Sequence, residues 1–300
     1  MKRILITGAN SYIGTSFEKW ISKCPNKYSV ETVDMIDGSW KDKDFSGFDV
    51  VFHVAGIAHA DIGKVTKEQK TLYYKVNRDL TKETALKAKT DGVKQFVFMS
   101  SIIVYGDSSS VNKKRVITKD AVPIPTNFYG DSKLQAEKEL NVLADDNFKT
   151  VIIRPPMIYG KGSKGNYPVL AKLALKLPVF PNIENERSML YIDNLCEFIR
   201  LIIENEENGI YFPQNADYVK TAEMIGLIAA IHGKKILAFR FINWAVKLLG
   251  YFPGKIGRLT NKAFGNMVYE KSMSEYKVNY RVKDLPFSIQ ATENGKNITI

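Results

Sequence analysis

Tyr129 and Lys133 stand four residues apart in a segment rich in Lys, Glu, Leu and Ala, a spacing that puts both side chains on one helix face, one turn apart. Such a pair can move a proton, because a phenol titrates near 10 in water and a nearby ammonium favours its phenolate. The same spacing also arises by chance in many helices, so the pair needs company. Met99-Ser100-Ser101-Ile102-Ile103-Val104-Tyr105-Gly106 places two hydroxyls at the end of an apolar run, the C-terminal strand edge where parallel sheets bind ligands. Thr7-Gly8-Ala9-Asn10-Ser11-Tyr12-Ile13-Gly14 follows the first apolar run and opens the first helical pattern. There Gly8 permits a tight turn, Gly14 lets a helix approach the sheet, and amides at the helix start face a pyrophosphate. Ser11 replaces the middle glycine of such loops, and it either crowds the pyrophosphate or donates a hydroxyl to it. Asp34 lies about twenty residues beyond Gly14, where a carboxylate accepts from a ribose diol and repels a 2′-phosphate. That favours NAD(H), with NADP(H) as the alternative. The plain reading is a strand-to-helix turn and a strand-end cap.

Positioning these groups requires alternating strands and helices. Strands are expected at Arg3–Thr7, Ser29–Asp34, Asp49–Val54, Gln95–Ser100 and Thr150–Arg154, with helices at Tyr12–Ser22, Thr66–Lys89 and Tyr129–Ala144. This alternation predicts an α/β fold, a Rossmann-type doubly wound parallel sheet. Beyond Pro155 the pattern loosens into helices around Pro168–Lys176, Asn194–Glu204, Thr221–His232 and Phe239–Leu249, a smaller, mainly helical C-terminal part. The expected division is 1–160 for the dinucleotide-binding domain with the catalytic residues and 161–300 for the substrate-binding part, with room for some chain to cross back.

The 300 residues are 45% hydrophobic and 25% charged, which excludes a disordered or collagen-like chain. No apolar stretch approaches membrane-spanning length, and Gly8 and Asn10 interrupt any signal-peptide core. Cys24 and Cys196, with His53, His59 and His232, make neither a disulfide framework nor a metal-ligand spacing, so no metal is expected and a reducing, cytoplasmic compartment fits. His53 reads as a strand-end residue and His59 as a loop residue. The 43 basic and 32 acidic residues leave a charge of +11. No Asp or Glu occurs between Glu223 and Glu270, whereas Lys234, Lys235, Arg240, Lys247, Lys255, Arg258 and Lys262 do. Apolar residues interleave with these cations, which argues against a specific nucleic-acid stripe. The segment 234–252 is too apolar for a free surface helix and too short to span a bilayer. Burial in the core or a subunit contact is its ordinary explanation, and peripheral contact with anionic lipid the sharper one.

Taken together the chain resembles the extended short-chain dehydrogenase/reductase family, in its branch of NAD-dependent sugar-nucleotide epimerases, dehydratases and reductases. The resemblance rests on Thr7 to Gly14, Phe52-His53-Val54-Ala55-Gly56, Asn77, Ser100 to Gly106, Tyr129-x-x-x-Lys133, Arg154-Pro155-Pro156-Met157-Ile158-Tyr159-Gly160 and Arg187-Ser188-Met189-Leu190-Tyr191-Ile192-Asp193-Asn194. It implies a catalytic trio of Ser101, Tyr129 and Lys133, with Ser100 the runner-up for the serine. It also implies a nicotinamide cofactor held by Gly8, Asn10, Ser11, Tyr12, Ile13, Gly14, Asp34, Val54, Ala55, Gly56, Asn77, Tyr129, Lys133 and Pro155. Ser101, Asn166 and Arg187 are the implied contacts to a UDP-sugar; a surface arginine is the plain reading of Arg187. Asp193 looks like an N-cap for the following helix. A homodimer is the expected assembly.

Departures from the family pattern narrow the chemistry. Ile102 and Ile103 replace the acidic pair of the dehydratases, and Met157 replaces an asparagine found in many 4-epimerases. The resemblance therefore points to C4 of a UDP-hexose, first to reduction of a 4-keto group on a UDP-linked 6-deoxy-N-acetylhexosamine for surface polysaccharide synthesis. A UDP-glucose or UDP-N-acetylglucosamine 4-epimerase is the alternative, and a non-catalytic dinucleotide-binding protein a distant third. About fifteen residues between Asp34 and Asp49 leave too little chain for the usual further helix and strand, so that crossover is expected to be missing or reduced to a loop, with Asp37 or Trp40 filling in beside adenosine.

Overall fold

The computed structural model describes residues 1–58, 65–107 and 110–293. His59 lies outside them. The chain divides into two compact units, and the division is not a single cut: the first comprises Met1–Gly106, Val122–Pro155 and Leu195–Pro213, the second Asp107–Ala121, Pro156–Asn194 and Gln214–Ile300.

The first unit is built on six parallel strands, β1 (Lys2–Thr7), β2 (Tyr28–Val33), β3 (Val50–His53), β4 (Gln95–Met99), β5 (Lys149–Ile153) and β6 (Gly209–Tyr211), in the order β6-β5-β4-β3-β1-β2. β3 and β4 are buried at every position, as expected for parallel strands covered on both faces. Four helices matter to the site: α1 (Tyr12–Ile21), α2 (Lys67–Tyr74), α3 (Leu80–Thr90) and α4 (Phe128–Leu143). The single helix expected over Thr66–Lys89 is instead α2 and α3 joined by a π-helical turn at Lys75–Asp79. Such turns displace one residue from the helical register and recur at functional sites. Here the displaced register contains buried Asn77.

Between β2 and β3 the crossover is a loop with one 3₁₀ turn, Ser39–Lys41. Trp40 is turned into the protein and not toward solvent. It is buried in a core with Leu5, Phe45, Phe48, Val51, Phe96 and Ile152. Asp37 accepts from the backbone N–H and hydroxyl of Ser39, so it closes the turn.

The second unit is less purely helical than the periodicity suggested. Three short parallel pairs join Lys114–Ile117 to Asn266–Tyr269, Met157–Tyr159 to Met189–Tyr191, and Val179–Pro181 to Leu237–Phe239. Its helices include Asn166–Lys176, Thr221–Ile231, Asn243–Leu249, Lys255–Phe264 and Leu285–Glu293. The helix expected over Phe239–Leu249 instead begins at Asn243, with Phe239 in a strand and a turn between them. Strand pairing of Leu237–Phe239 outweighs helical propensity there. The helix Ile192–Glu204 starts one residue before Asp193, so Asp193 is not its N-cap. Its carboxylate pairs with Lys283 at 3.1 Å.

Candidate active site

The dinucleotide loop is shaped by contacts that only glycine allows. Gly8 has φ +105°, and a Cβ there would lie 2.8 Å from the Ala55 backbone nitrogen. A Cβ on Gly14 would lie 3.1 Å from the Ile6 and Val54 side chains, so α1 presses onto β1 and the end of β3. Asn10 adopts φ +60°, a conformation that asparagine tolerates better than most residues. Ser11 is the N-cap of α1, its Oγ accepting from Gly14 N–H at 3.2 Å. Its hydroxyl thus has a structural task, and the helix start at Tyr12 and Ile13 presents backbone N–H groups as helix N-termini do. Asp34, exposed just beyond β2, accepts from Ile36 N–H at 2.8 Å through one carboxylate oxygen. This cradle and carboxylate fit a dinucleotide's pyrophosphate and ribose.

Behind the loop sits a buried polar relay. His53 ends β3, wholly buried, with Nδ1 2.7 Å from Thr7 Oγ1 and Nε2 3.1 Å from Thr81 Oγ1. Thr81 donates its proton to the Asn77 carbonyl, so His53 Nε2 donates to Thr81 and Nδ1 accepts from Thr7. Burial, with the Lys133 charge adding to it, drives the His53 pKa down to about 3. Asn77 then ties down the Gly56 turn: Oδ1 accepts from Ile57 N–H at 2.8 Å, and Nδ2 donates to Ile57 O and to Ser132 Oγ. A Cβ on Gly56 would come within 3.1 Å of both Asn77 Oδ1 and Lys133 Nζ. His53, Thr81 and Ser132 escaped the sequence reading as members of this relay, because a polar residue ending an apolar strand carries no periodic signal.

Ser101 and Tyr129 are brought together. Ser101 caps the 3₁₀ helix Ile102–Tyr105, its Oγ accepting from Ile103 N–H at 3.3 Å, and its side chain stands beside the Tyr129 phenol. Tyr129 occupies the first turn of α4, whose N-cap Asn127 accepts from Gly130 N–H. Gly130 is required for that approach, since a Cβ would lie 2.7 Å from the Ile103 carbonyl oxygen. Burial pushes the Tyr129 pKa up to about 12, against the lowering effect of Ser101. The shift runs opposite to the one expected from Lys133. The Lys133 ammonium donates to the Met99 carbonyl at 2.9 Å and lies 4.6 Å from the centre of the Phe98 ring. Burial lowers its own pKa to about 8, with Glu137 pulling the other way.

Ser100 has a different task. Its hydroxyl donates to Glu137, which is held by Arg154 through Nε at 3.0 Å and Nη2 at 2.5 Å. Arg154 also donates to the Tyr105 hydroxyl at 2.7 Å. All four residues are buried. This knot ties α4, β5 and the Ser100–Tyr105 segment, and it separates Ser100 from Ser101 by partner. Its sequence signal was available: Tyr129, Lys133 and Glu137 recur every four residues on one face of α4. Pro155 accepts from Ile102 N–H at 2.9 Å, fixing the same turn from the end of β5.

Asn166 and Arg187 belong to the second unit. Asn166 opens the helix Asn166–Lys176 after Gly165 at φ +97°. Arg187 exchanges backbone hydrogen bonds with Val219, and its Nη1 donates to the carbonyls of Lys262 at 2.6 Å and Ala263 at 3.4 Å. The guanidinium thus closes the C-terminal turn of the helix Lys255–Phe264, where positive charge is favoured, while burial lowers its pKa to about 10. Arg187 therefore has a structural role.

Residues 4–212 match the model of the NAD dependent epimerase/dehydratase family. A UDP-glucose 4-epimerase of Vibrio cholerae is 33% identical over 283 residues, 86% of this chain and 85% of that protein. The N-acetyl-alpha-D-glucosaminyl-diphospho-ditrans,octacis-undecaprenol 4-epimerase of Escherichia coli O157:H7 is 27% identical over 280 residues, 87% of this chain and 82% of that protein. Among solved structures, the UDP-glucuronic acid 4-epimerase of Bacillus cereus, in complex with UDP-glucuronic acid and NAD, superposes with a TM-score of 0.74 at 20% identity, covering 97% of this chain and 98% of that one. With residues 4–212 matching that family model and a relative 33% identical over most of its length, the chain belongs to the NAD dependent epimerase/dehydratase family.

Proposed function

We propose that this chain is a 4-epimerase of a UDP-linked hexose or N-acetylhexosamine. The observation that carries the reading is the placement of Ser101 beside the Tyr129 phenol just past the C-terminal end of β4, with buried Lys133 one turn further along α4. The kinship with a UDP-glucose 4-epimerase moves the balance from 4-keto reduction to epimerisation. Gly8, Gly14, Asp34 and the Gly56 turn would hold NAD, which when bound supplies hydride acceptance from C4 and its return. Tyr129 exchanges the proton of the sugar's 4-oxygen, and Ser101 holds that oxygen by hydrogen bond. Lys133 keeps a positive charge beside both ligands. Asn166 and Arg187 would contact the sugar nucleotide, Arg187 through its diphosphate. The test is incubation with UDP-glucose and UDP-N-acetylglucosamine, with and without added NADH. Epimeric product without coenzyme consumption supports the reading, and stoichiometric NADH consumption on a 4-keto sugar restores the reductase.

A second substrate is favoured by one observation: the second unit exposes Phe241, Trp244, Leu248 and Tyr251 beside basic residues. In that reading the sugar diphosphate is carried on a polyprenol, as the name of the E. coli relative states for that protein. Assay of lipid-linked against UDP-linked N-acetylglucosamine separates the two.

A further inference from the structure

The second unit carries a surface whose polarity is inverted. Phe241 and Trp244 are each 69% exposed and Tyr251 is 71% exposed, with Leu248, Phe252, Ile256 and Leu259 at least half exposed. Residues 241, 244, 248 and 251 step by three, four and three, so they form one stripe along and just beyond the helix Asn243–Leu249. Ile256 and Leu259 form a second stripe on the helix Lys255–Phe264.

The inward side of the same two helices is filled by Val246 and Phe264, packed with Val111 and Ile183, and by two glycines. A Cβ on Gly250 would come within 2.5 Å of the Val111 side chain, and one on Gly257 within 1.9 Å of the Phe252 carbonyl oxygen. Asn261 donates to the Gly250 carbonyl at 3.0 Å and accepts from Val111 N–H at 2.9 Å. The large apolar side chains therefore cannot rotate inward without breaking this packing. Their exposure is a property of the fold.

Cations rim the stripes. Lys247, Lys255, Arg258 and Lys262 make no ion pair among the described residues, and Arg240 lies 3.7 Å from exposed Glu184. No carboxylate occurs in the chain from Glu223 to Glu270. A second copy of this chain is a poor occupant, because a two-fold contact would set this uncompensated positive charge against itself. An anionic lipid surface satisfies both halves, taking Trp, Tyr, Phe and Leu at the headgroup boundary and Lys and Arg at the phosphates.

We propose that the face formed by the helices Asn243–Leu249 and Lys255–Phe264 docks the protein on an anionic bilayer surface. The docking serves a soluble or a lipid-linked substrate alike, so its test is independent of catalysis. The full chain is floated with phosphatidylcholine vesicles with and without phosphatidylglycerol, at low and high salt. The expected result is binding only with phosphatidylglycerol, reduced at least about tenfold by high salt as the surface charge is screened. The double variant Trp244→Glu/Leu248→Glu should lose flotation while keeping its circular dichroism and its turnover of a UDP-sugar. Trp244→Phe should keep flotation but lose the fluorescence quenching that brominated lipid imposes on the wild type. Absence of flotation at low salt, equal binding to neutral vesicles, or undiminished binding by a folded double variant would overturn the proposal. So would a dimer in light scattering that the double variant converts to monomer.

Discussion

Ser100 and Ser101 are adjacent in the chain, yet the first donates to Glu137 and the second stands beside the Tyr129 phenol, opposing the rise in its pKa. The extended backbone of Ser101, at φ −165° and ψ 154°, turns successive side chains to opposite sides. One serine thereby belongs to the buried knot and the other faces Tyr129.

Tyr129→Phe should lower turnover by at least about a hundredfold, the usual contribution of a positioned proton donor or acceptor, while leaving NAD affinity and stability near wild type. Ser101→Ala should act in the same direction. Ser100→Ala should chiefly lower the urea midpoint, because it removes a partner of a buried carboxylate. Steady-state kinetics beside urea denaturation resolve the two classes, and wild-type turnover in Tyr129→Phe would remove Tyr129 from the chemistry.

Glu137 and Arg154 are both buried, with side chains 2% and 6% exposed. Removing one member of such a pair leaves an uncompensated charge, at about 3–5 kcal/mol. Glu137→Ala should therefore destabilise the fold by about that much, and Glu137→Ala/Arg154→Met by less than the sum of the single changes. Additive losses in denaturation would mean that the two side chains act independently.

The sequence reading placed β1 through β5 and α1 and α4 within a residue or two, because buried parallel strands are continuous apolar runs and α1 and α4 have strong caps in Ser11 and Asn127. The strand pairs of the second unit escaped it. Three residues such as Val179–Pro181 carry no period, and their partners lie far away in sequence. The shared face of Tyr129 and Lys133 is legible for the same reason as α4: four-residue spacing survives in sequence. The relay from His53 through Thr81 to Asn77 was not, because it depends on a π turn that shifts the helical register by one residue.

That relay sets an acid limit on stability. The folded His53 takes up a proton only near pH 3, against 6.5 when unfolded. Between those values the unfolded chain binds more protons, so stability falls as the pH drops from 6.5 toward 3 and is fully present above 6.5. A shift of this size is worth on the order of several kcal/mol. His53→Gln should be less stable at pH 7, where Thr7 and Thr81 lose a matched partner, and should show a shallower loss on acidification. Urea denaturation at pH 7 and pH 5 measures both, and parallel slopes for the two proteins would show that His53 titrates normally.

Coenzyme choice should follow the charge on Asp34. Its carboxylate stands exposed at the end of β2 and also accepts from Ile36 N–H, so Asp34→Ala removes charge and turn together, whereas Asp34→Asn keeps an oxygen for Ile36 and removes only the charge. If repulsion of a 2′-phosphate decides the preference, Asp34→Asn should shift the NADPH-to-NADH affinity ratio toward NADPH by at least about tenfold, roughly 1.4 kcal/mol, since like charges set together cost several times that. Asp34→Ala should add a loss of NADH affinity as the ribose diol loses its acceptor. Titration of the intrinsic fluorescence with each coenzyme reads both ratios. A wild-type preference for NADPH, or an Asp34→Asn ratio equal to wild type, would mean that the adenosine ribose is held elsewhere and that this carboxylate only closes the Ile36 turn.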